Sequence, residues 1–189
     1  MKKIEKLADQ IASWVFLYND REQWFGKKVT KANLYYYLIN TFNNLGIVFV
    51  TFVVGLILNE TNMFVQTMFA FGLFRLFTGG RHMNSSLGCI VVSTLIIITG
   101  ALLPLPGYAP MLVSILTLII TFLYAPASFG VRGIQLPHER KKIYRLISFL
   151  LILASLVIDK NHLTSVLFIQ SLTLIDGKPH KNGRRWRVV

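Results

Sequence analysis

No Asp, Glu, Lys or Arg occurs between Met83 and Val131, and those 49 consecutive residues constrain the fold more than any other feature. A water-soluble domain cannot hide so long an uncharged run, whereas two membrane spans of about 20 residues and a turn fill it. Composition agrees, with 53% apolar and only 15% charged residues. The expected fold is an all-α integral membrane protein of about six transmembrane helices plus an N-terminal amphipathic helix. It is read as one polytopic domain: residues 1–20 as an interfacial helix, 41–175 as the bundle and 176–189 as a basic tail.

Ile4, Leu7, Ala8, Ile11, Val15 and Tyr18 recur at helical spacing opposite Lys2, Lys3, Glu5, Lys6, Asp9 and Gln10. That helix is too polar to span; it lies in the interface or packs on the protein's own cytoplasmic face. Glu5, Lys6 and Asp9 also interrupt any signal-peptide core, so no cleavage is expected. Asp20 to Lys31 reads as a charged connector and Tyr35-Tyr36-Tyr37 as an interfacial aromatic anchor. Spans follow at about 41–58, 63–76 (including Gln66), 87–105, 109–125, 143–158 and 163–175. The last two are short enough to be re-entrant. Pro104, Leu105, Pro106 and Gly107 force a hairpin between the third and fourth.

The net charge of +12 might indicate nucleic acid, but its placement argues against it. With six spans, 19 of the 20 basic residues fall on one side: the N-terminus, residues 75–81, a basic loop at 131–145, and the tail. The positive-inside rule makes that side cytoplasmic and leaves Lys160 outside. The expected location is the cell membrane, multi-pass, with both termini and the 82–89 segment cytoplasmic. One cysteine excludes an intrachain disulfide and Cys-Cys metal motifs. His138-Glu139 does not begin a zinc-protease motif, because position 142 is Lys. No metal or cofactor is expected.

Chemistry concentrates in Arg75-Leu-Phe-Thr-Gly-Gly-Arg-His82-Met-Asn-Ser-Ser-Leu-Gly-Cys89. Cys89 reads either as a small buried hydrophobe or as a nucleophile. Asn84, Ser85 and Ser86 are N-cap candidates that put it in the first turn of the third span, where the helix terminus favours a thiolate. His82 reads as an exposed loop residue or as the base. In one continuous helix the two would lie about 10 Å apart along the axis, so proton transfer requires the chain to fold back. Gly79 and Gly80 permit that turn. Arg75 reads as a residue snorkelling to the interface, as a contact to substrate, or as a clamp on the loop.

These residues resemble the accessory gene regulator B (AgrB-like) membrane peptidases of Gram-positive quorum sensing. Arg75, Gly79, Gly80, His82 and Cys89 fit that family's pattern, as do Tyr124-Ala125-Pro126-Ala127 and a following basic loop with Pro137; Met83 departs from the expected small residue. The resemblance implies a cysteine endopeptidase that cuts the C-terminal part from a short autoinducing-peptide precursor and helps to close a thiolactone or lactone ring. By carry-over, His82 and Cys89 are the catalytic pair. Arg75, Gly79, Gly80, Arg140, Lys141 and Lys142 are the substrate-binding candidates, the last three alternatively holding anionic lipid. The expected partners are the membrane and the precursor, with no nucleic acid and with a homodimer as one open form of assembly. Rival readings are a non-catalytic small membrane scaffold or transport subunit, and a lipid-directed cysteine acyltransferase.

Overall fold

The computed structural model describes residues 2–18, 23–24, 27–28, 31–80, 85–127, 138–158 and 160–175. Among them are seven helices: α1 (Lys2–Tyr18), α2 (Lys31–Ile57), α3 (Thr61–Thr78), α4 (Ser86–Leu102), α5 (Ala109–Tyr124), α6 (His138–Val157) and α7 (Asn161–Ile175). Between α1 and α2, β1 (Gln23–Trp24) and β2 (Lys27–Lys28) form one antiparallel rung, with Gln23 opposite Lys28 and Trp24 opposite Lys27. The all-α expectation therefore holds apart from this rung, which stands within the expected connector. The chain divides into two compact units, Met1–Val65 with Met83–Leu95, and Gln66–His82 with Ile96–Val189.

In the first unit α1 buries Ala8 and Ala12 and packs on α2, while Leu7, Trp14 and Leu17 stay exposed. Packing on the protein's own helix and an outward apolar edge thus coexist on α1. Lys31 Nζ lies 3.1 Å from Asp9 Oδ1, a solvent-exposed pair that adds little stability. Burial pushes the Tyr35 phenol above its usual range, and Glu5 and Asp9 add to the effect. Helix α2 starts ten residues before the expected span, because Tyr35 to Tyr37 continue the same helix rather than standing outside it. It ends in a Schellman turn: Glu60 N–H donates to Gly55 O (2.9 Å), Asn59 N–H to Leu56 O (3.2 Å), and Asn59 has a φ of 55°. This turn reverses the chain into α3.

The second unit is layered inside out. Helix α5 buries Ser114, Thr117 and Thr121 and exposes Met111, Leu112, Ile115, Leu116, Ile119, Phe122 and Leu123. Its neighbour α7 buries Thr164, Ser165, Gln170 and Ser171 beside Val166, Leu167 and Leu174. Large apolar side chains outside and small hydroxyls inside suit an apolar solvent, where close helix approach replaces the hydrophobic effect as the driving force. Ser165 Oγ donates to Asn161 O (2.9 Å) and lies 3.3 Å from Leu103 O. Gly100 lets α4 meet α7 closely, since a Cβ there would sit 2.7 Å from Val166 Cα.

The Pro104–Gly107 hairpin forms as expected: Gly107 has a φ of 55° and Ala109 N–H donates to Pro106 O. Among the described residues one stretch, Tyr37–Ile57, is long and apolar enough to cross a membrane. Ser86–Leu102, Ala109–Tyr124 and Asn161–Ile175 are apolar but shorter. At 1.5 Å per residue, about 17 residues reach roughly 25 Å, against a hydrocarbon core of about 30 Å. The expected basic loop at 131–145 requires correction at its end. Helix α6 begins at His138, so Arg140, Lys141, Lys142 and Arg145 lie on its first two turns. Long basic side chains favour helix as readily as they mark a loop.

Candidate active site

Helix α4 supplies the cysteine. Ser85 is the residue that caps it: its Oγ accepts from Gly88 N–H (3.1 Å) and its carbonyl from Cys89 N–H (3.0 Å). Cys89 therefore stands one turn from the helix start, and its own N–H makes the first helical hydrogen bond. Its side chain is buried, as is Ser86, while Leu87 is exposed. Helical Cα–Cβ bonds tilt toward the N-terminus, so the thiol is carried back toward the first-turn N–H groups and the positive end of the helix dipole. Such a terminus can receive an oxyanion. The cysteine belongs to the first unit.

His82 lies outside the described residues, as do Arg132, Pro137 and the tail, so no geometry joins His82 to Cys89. What is described is the turn that leads to His82. Gly79 and Gly80 both take positive φ, 74° and 148°, at the end of α3. Gly79 N–H donates to Arg75 O, and Ala127 N–H donates to Thr78 O, both at 2.9 Å. A Cβ on Gly79 would sit 2.9 Å from Ala127 O. The end of α3 and the Tyr124–Ala127 segment, 49 residues apart at the bonded pair Thr78 and Ala127, are thus stitched backbone to backbone.

Two side chains lock this pair of segments. Arg145 places Nε and Nη2 at 3.1 and 2.9 Å from Ala125 O, with its guanidinium 5.5 Å from the Phe122 ring centroid. Gln170 Nε2 donates to Gly79 O at 3.2 Å, and Ala125, Ala127 and Leu174 form a buried apolar cluster beside it. The bond between Ala125 and Pro126 is cis. Arg145 entered the sequence reading only as part of the basic count, and Gln170 not at all; a glutamine amid the apolar residues of α7 was the available signal.

Arg75 is half-buried in the last turn of α3, where a cation complements the helix dipole, and its guanidinium lies 5.6 Å from the Phe71 ring centroid. Arg140 and Lys142 are exposed on α6 and Lys141 is half-buried; Lys142 Nζ pairs with Glu139 Oε1 at 3.5 Å. At another place in the second unit, Gln66 Oε1 accepts from Lys160 Nζ (2.9 Å) and lies 3.3 Å from His162 Nε2. Among the described residues no three His, Cys, Asp or Glu side chains gather as metal ligands would.

A curated protein of Halalkalibacterium halodurans described as AgrB-like is 33% identical over 119 residues, which are 60% of this chain and 60% of that protein. No solved structure matches the chain. A sequence profile of the accessory gene regulator B family matches residues 4–175, which include the cysteine, the Gly-Gly turn and the Tyr124–Ala127 segment. The chain belongs to the accessory gene regulator B family.

Proposed function

We propose that this chain is a membrane cysteine endopeptidase that cuts the C-terminal part from a quorum-sensing precursor peptide through a Cys89 thioester and promotes thiolactone or lactone closure. Family membership gives it a role in the accessory gene regulator system. The observation that carries the finer reading is the position of Cys89 in the capped first turn of α4. His82, seven residues earlier, serves as the base once the chain folds back after Gly79 and Gly80. The inside-out layering of α5 and the bias of basic residues support six spans, with the termini and the cysteine on the cytoplasmic side.

The steps follow from the groups. His82 takes the proton from Cys89, and the thiolate sulfur bonds to the scissile carbonyl carbon, whose oxygen takes up the charge near the helix terminus. As the carbon–nitrogen bond breaks, the imidazolium returns its proton to the leaving amine, and the N-terminal part of the precursor stays on Cys89 as a thioester. A cysteine or serine of the same peptide then attacks that carbonyl, Cys89 leaves, and the attacker's proton returns to Cys89 through His82. Exchange of one thioester for another costs little, whereas hydrolysis discards the bond energy. The tethered thiol must therefore outpace water, by proximity and by the apolar surroundings of the site.

Trapping the thioester tests this directly. With the precursor of the neighbouring reading frame altered so that its ring-closing residue is Ala, the enzyme in liposomes should carry an acyl adduct on Cys89. Neutral hydroxylamine should release it as a hydroxamate. Wild-type protein that neither cleaves the precursor nor carries the adduct would refute the proposal.

Arg140, Lys141 and Lys142, on the first turns of α6, are proposed to attract an acidic C-terminal region of the precursor. Replacing all three with Gln is expected to raise KM more than it lowers kcat, because binding is lost away from the reacting bond. The effect should fade as salt screens the charges. In neutral-lipid liposomes an unchanged KM would show that these residues serve the lipid instead.

A further inference from the structure

We propose that Gln170 is a positioning residue of the reaction: through its side-chain amide, α7 fixes the Gly79–Gly80 turn and thereby the path of the chain to His82. The inference rests on the reading of His82 as the base.

Gln170 is fully buried, and its Nε2 lies 3.2 Å from Gly79 O. Gly79 O is only an acceptor, so the amide nitrogen faces it. Thr78 Oγ1 also lies 3.3 Å from that carbonyl, but it sits closer to Phe74 O, at 2.8 Å. A hydroxyl has one hydrogen to give, so the Gly79 carbonyl is left to Gln170. Gly80 is held against the same helix: a Cβ there would meet Gln170 Nε2 at 3.0 Å and Thr173 Oγ1 at 3.3 Å.

The second observation is what the amide leaves unmet. Gln170 Oε1 is buried and has no hydrogen-bond partner among the described residues. A leucine has similar bulk and would bury no orphan oxygen, so packing alone does not favour glutamine here. Among the described residues the service its amide performs is the bond to Gly79. That bond sets the carbonyl, hence the peptide plane, at the first of two residues whose φ angles lie in the glycine region. Among the described residues Thr78 Oγ1 is the other side-chain donor within reach of that carbonyl, and it lies closer to Phe74 O. His82 follows two residues after Gly80 in sequence, which ties the proposal to the Gly79 plane. A displacement near 1 Å suffices to slow a reaction by about 100-fold.

The test uses full-length protein in liposomes with the precursor of the neighbouring reading frame, rates normalised to the fraction that elutes folded in gel filtration. Gln170→Leu is expected to lower kcat by about 10- to 100-fold and to change KM by less than about threefold. Gln170→Glu separates positioning from packing. Burial raises the introduced carboxyl's pKa; below it the acid O–H donates to Gly79 O, and above it the carboxylate repels that carbonyl. The ratio of Gln170→Glu to wild-type kcat should therefore be highest at acid pH and fall as pH rises. A Gln170→Leu kcat within twofold of wild type would overturn the inference, as would a Gln170→Glu ratio that does not vary with pH. Should the leucine variant fail to fold, the pH ratio of the glutamate variant decides. Cys89→Ala runs alongside: if it still cleaves, the cysteine reading fails, whatever Gln170 does.

Discussion

Cys89→Ala should reduce precursor cleavage by about 10⁴-fold or more, about 5 kcal/mol of transition-state stabilisation. Protein yield and thermal midpoint should remain near wild type. Both halves of this expectation come from the helix start. The substitution removes one sulfur from a small buried side chain in the first turn of α4, and alanine is the best helix former, so the cost to folding is about 1 kcal/mol. The N-cap bond from Gly88 N–H to Ser85 Oγ does not involve Cys89 and survives. Cys89→Ser keeps the shape but presents a hydroxyl, which is far harder to ionise than a thiol, and should be nearly as inactive. His82→Ala should be inactive through loss of the base. The measurement is cleavage of purified precursor in liposomes, followed by mass spectrometry. Near wild-type cleavage by either alanine variant would remove that residue from the chemistry.

Gly79→Ala is expected to be strongly damaging, because backbone strain and a backbone clash fall on the same residue. At a φ of 74° an L side chain costs about 1–2 kcal/mol before any contact is considered. Its Cβ would then sit 2.9 Å from Ala127 O, a backbone atom that cannot swing away, because Ala127 N–H is bound to Thr78 O. Relief requires breaking that bond or lifting the 125–127 segment off α3. A total near 3 kcal/mol is a large share of the 5–15 kcal/mol that holds a typical domain. The thermal midpoint in detergent should fall by several degrees, and cleavage should fall with it. Gly72→Ala is the matched control: nothing lies within 4 Å of its Cβ position, and alanine there should be neutral or favour the helix. Equal midpoints for the two variants would mean that the stitch between the segments does not hold the turn.

The helices were legible because punctuation is local. Pro104 to Gly107 end a helix through backbone rules that need no tertiary information, and both ends of α5 agree with the sequence within a residue. The start of α6 was misplaced because basic residues serve two masters: they hold a cytoplasmic edge, and they also form good helix. The cysteine and the Gly-Gly turn could be found because they carry rare residue types close together. A glutamine amid the apolar residues of α7 was a signal, but the partners of Gln170 and Arg145 were not legible, since their bonds reach across 91 and 20 residues to backbone carbonyls, which bear no signature in sequence. The Tyr124–Ala127 segment was visible only as a family resemblance. The structure gives it a physical role, as the strip of backbone that Thr78 and Arg145 hold.

Helix α5 also changes how substitutions in this chain are to be weighed. In a water-soluble helix, leucines and isoleucines are the guarded positions and serines drift freely. Here Ser114, Thr117 and Thr121 are buried on a helix that packs on α6 and α7, so an exchange of Thr117 for Leu forces helices apart. Leu112, Ile115, Leu116 and Ile119 face outward, where any apolar side chain of similar length serves as well. A scale that rewards burial of large residues would therefore rank variants of this helix nearly backwards, marking harmless exchanges as severe and severe ones as conservative.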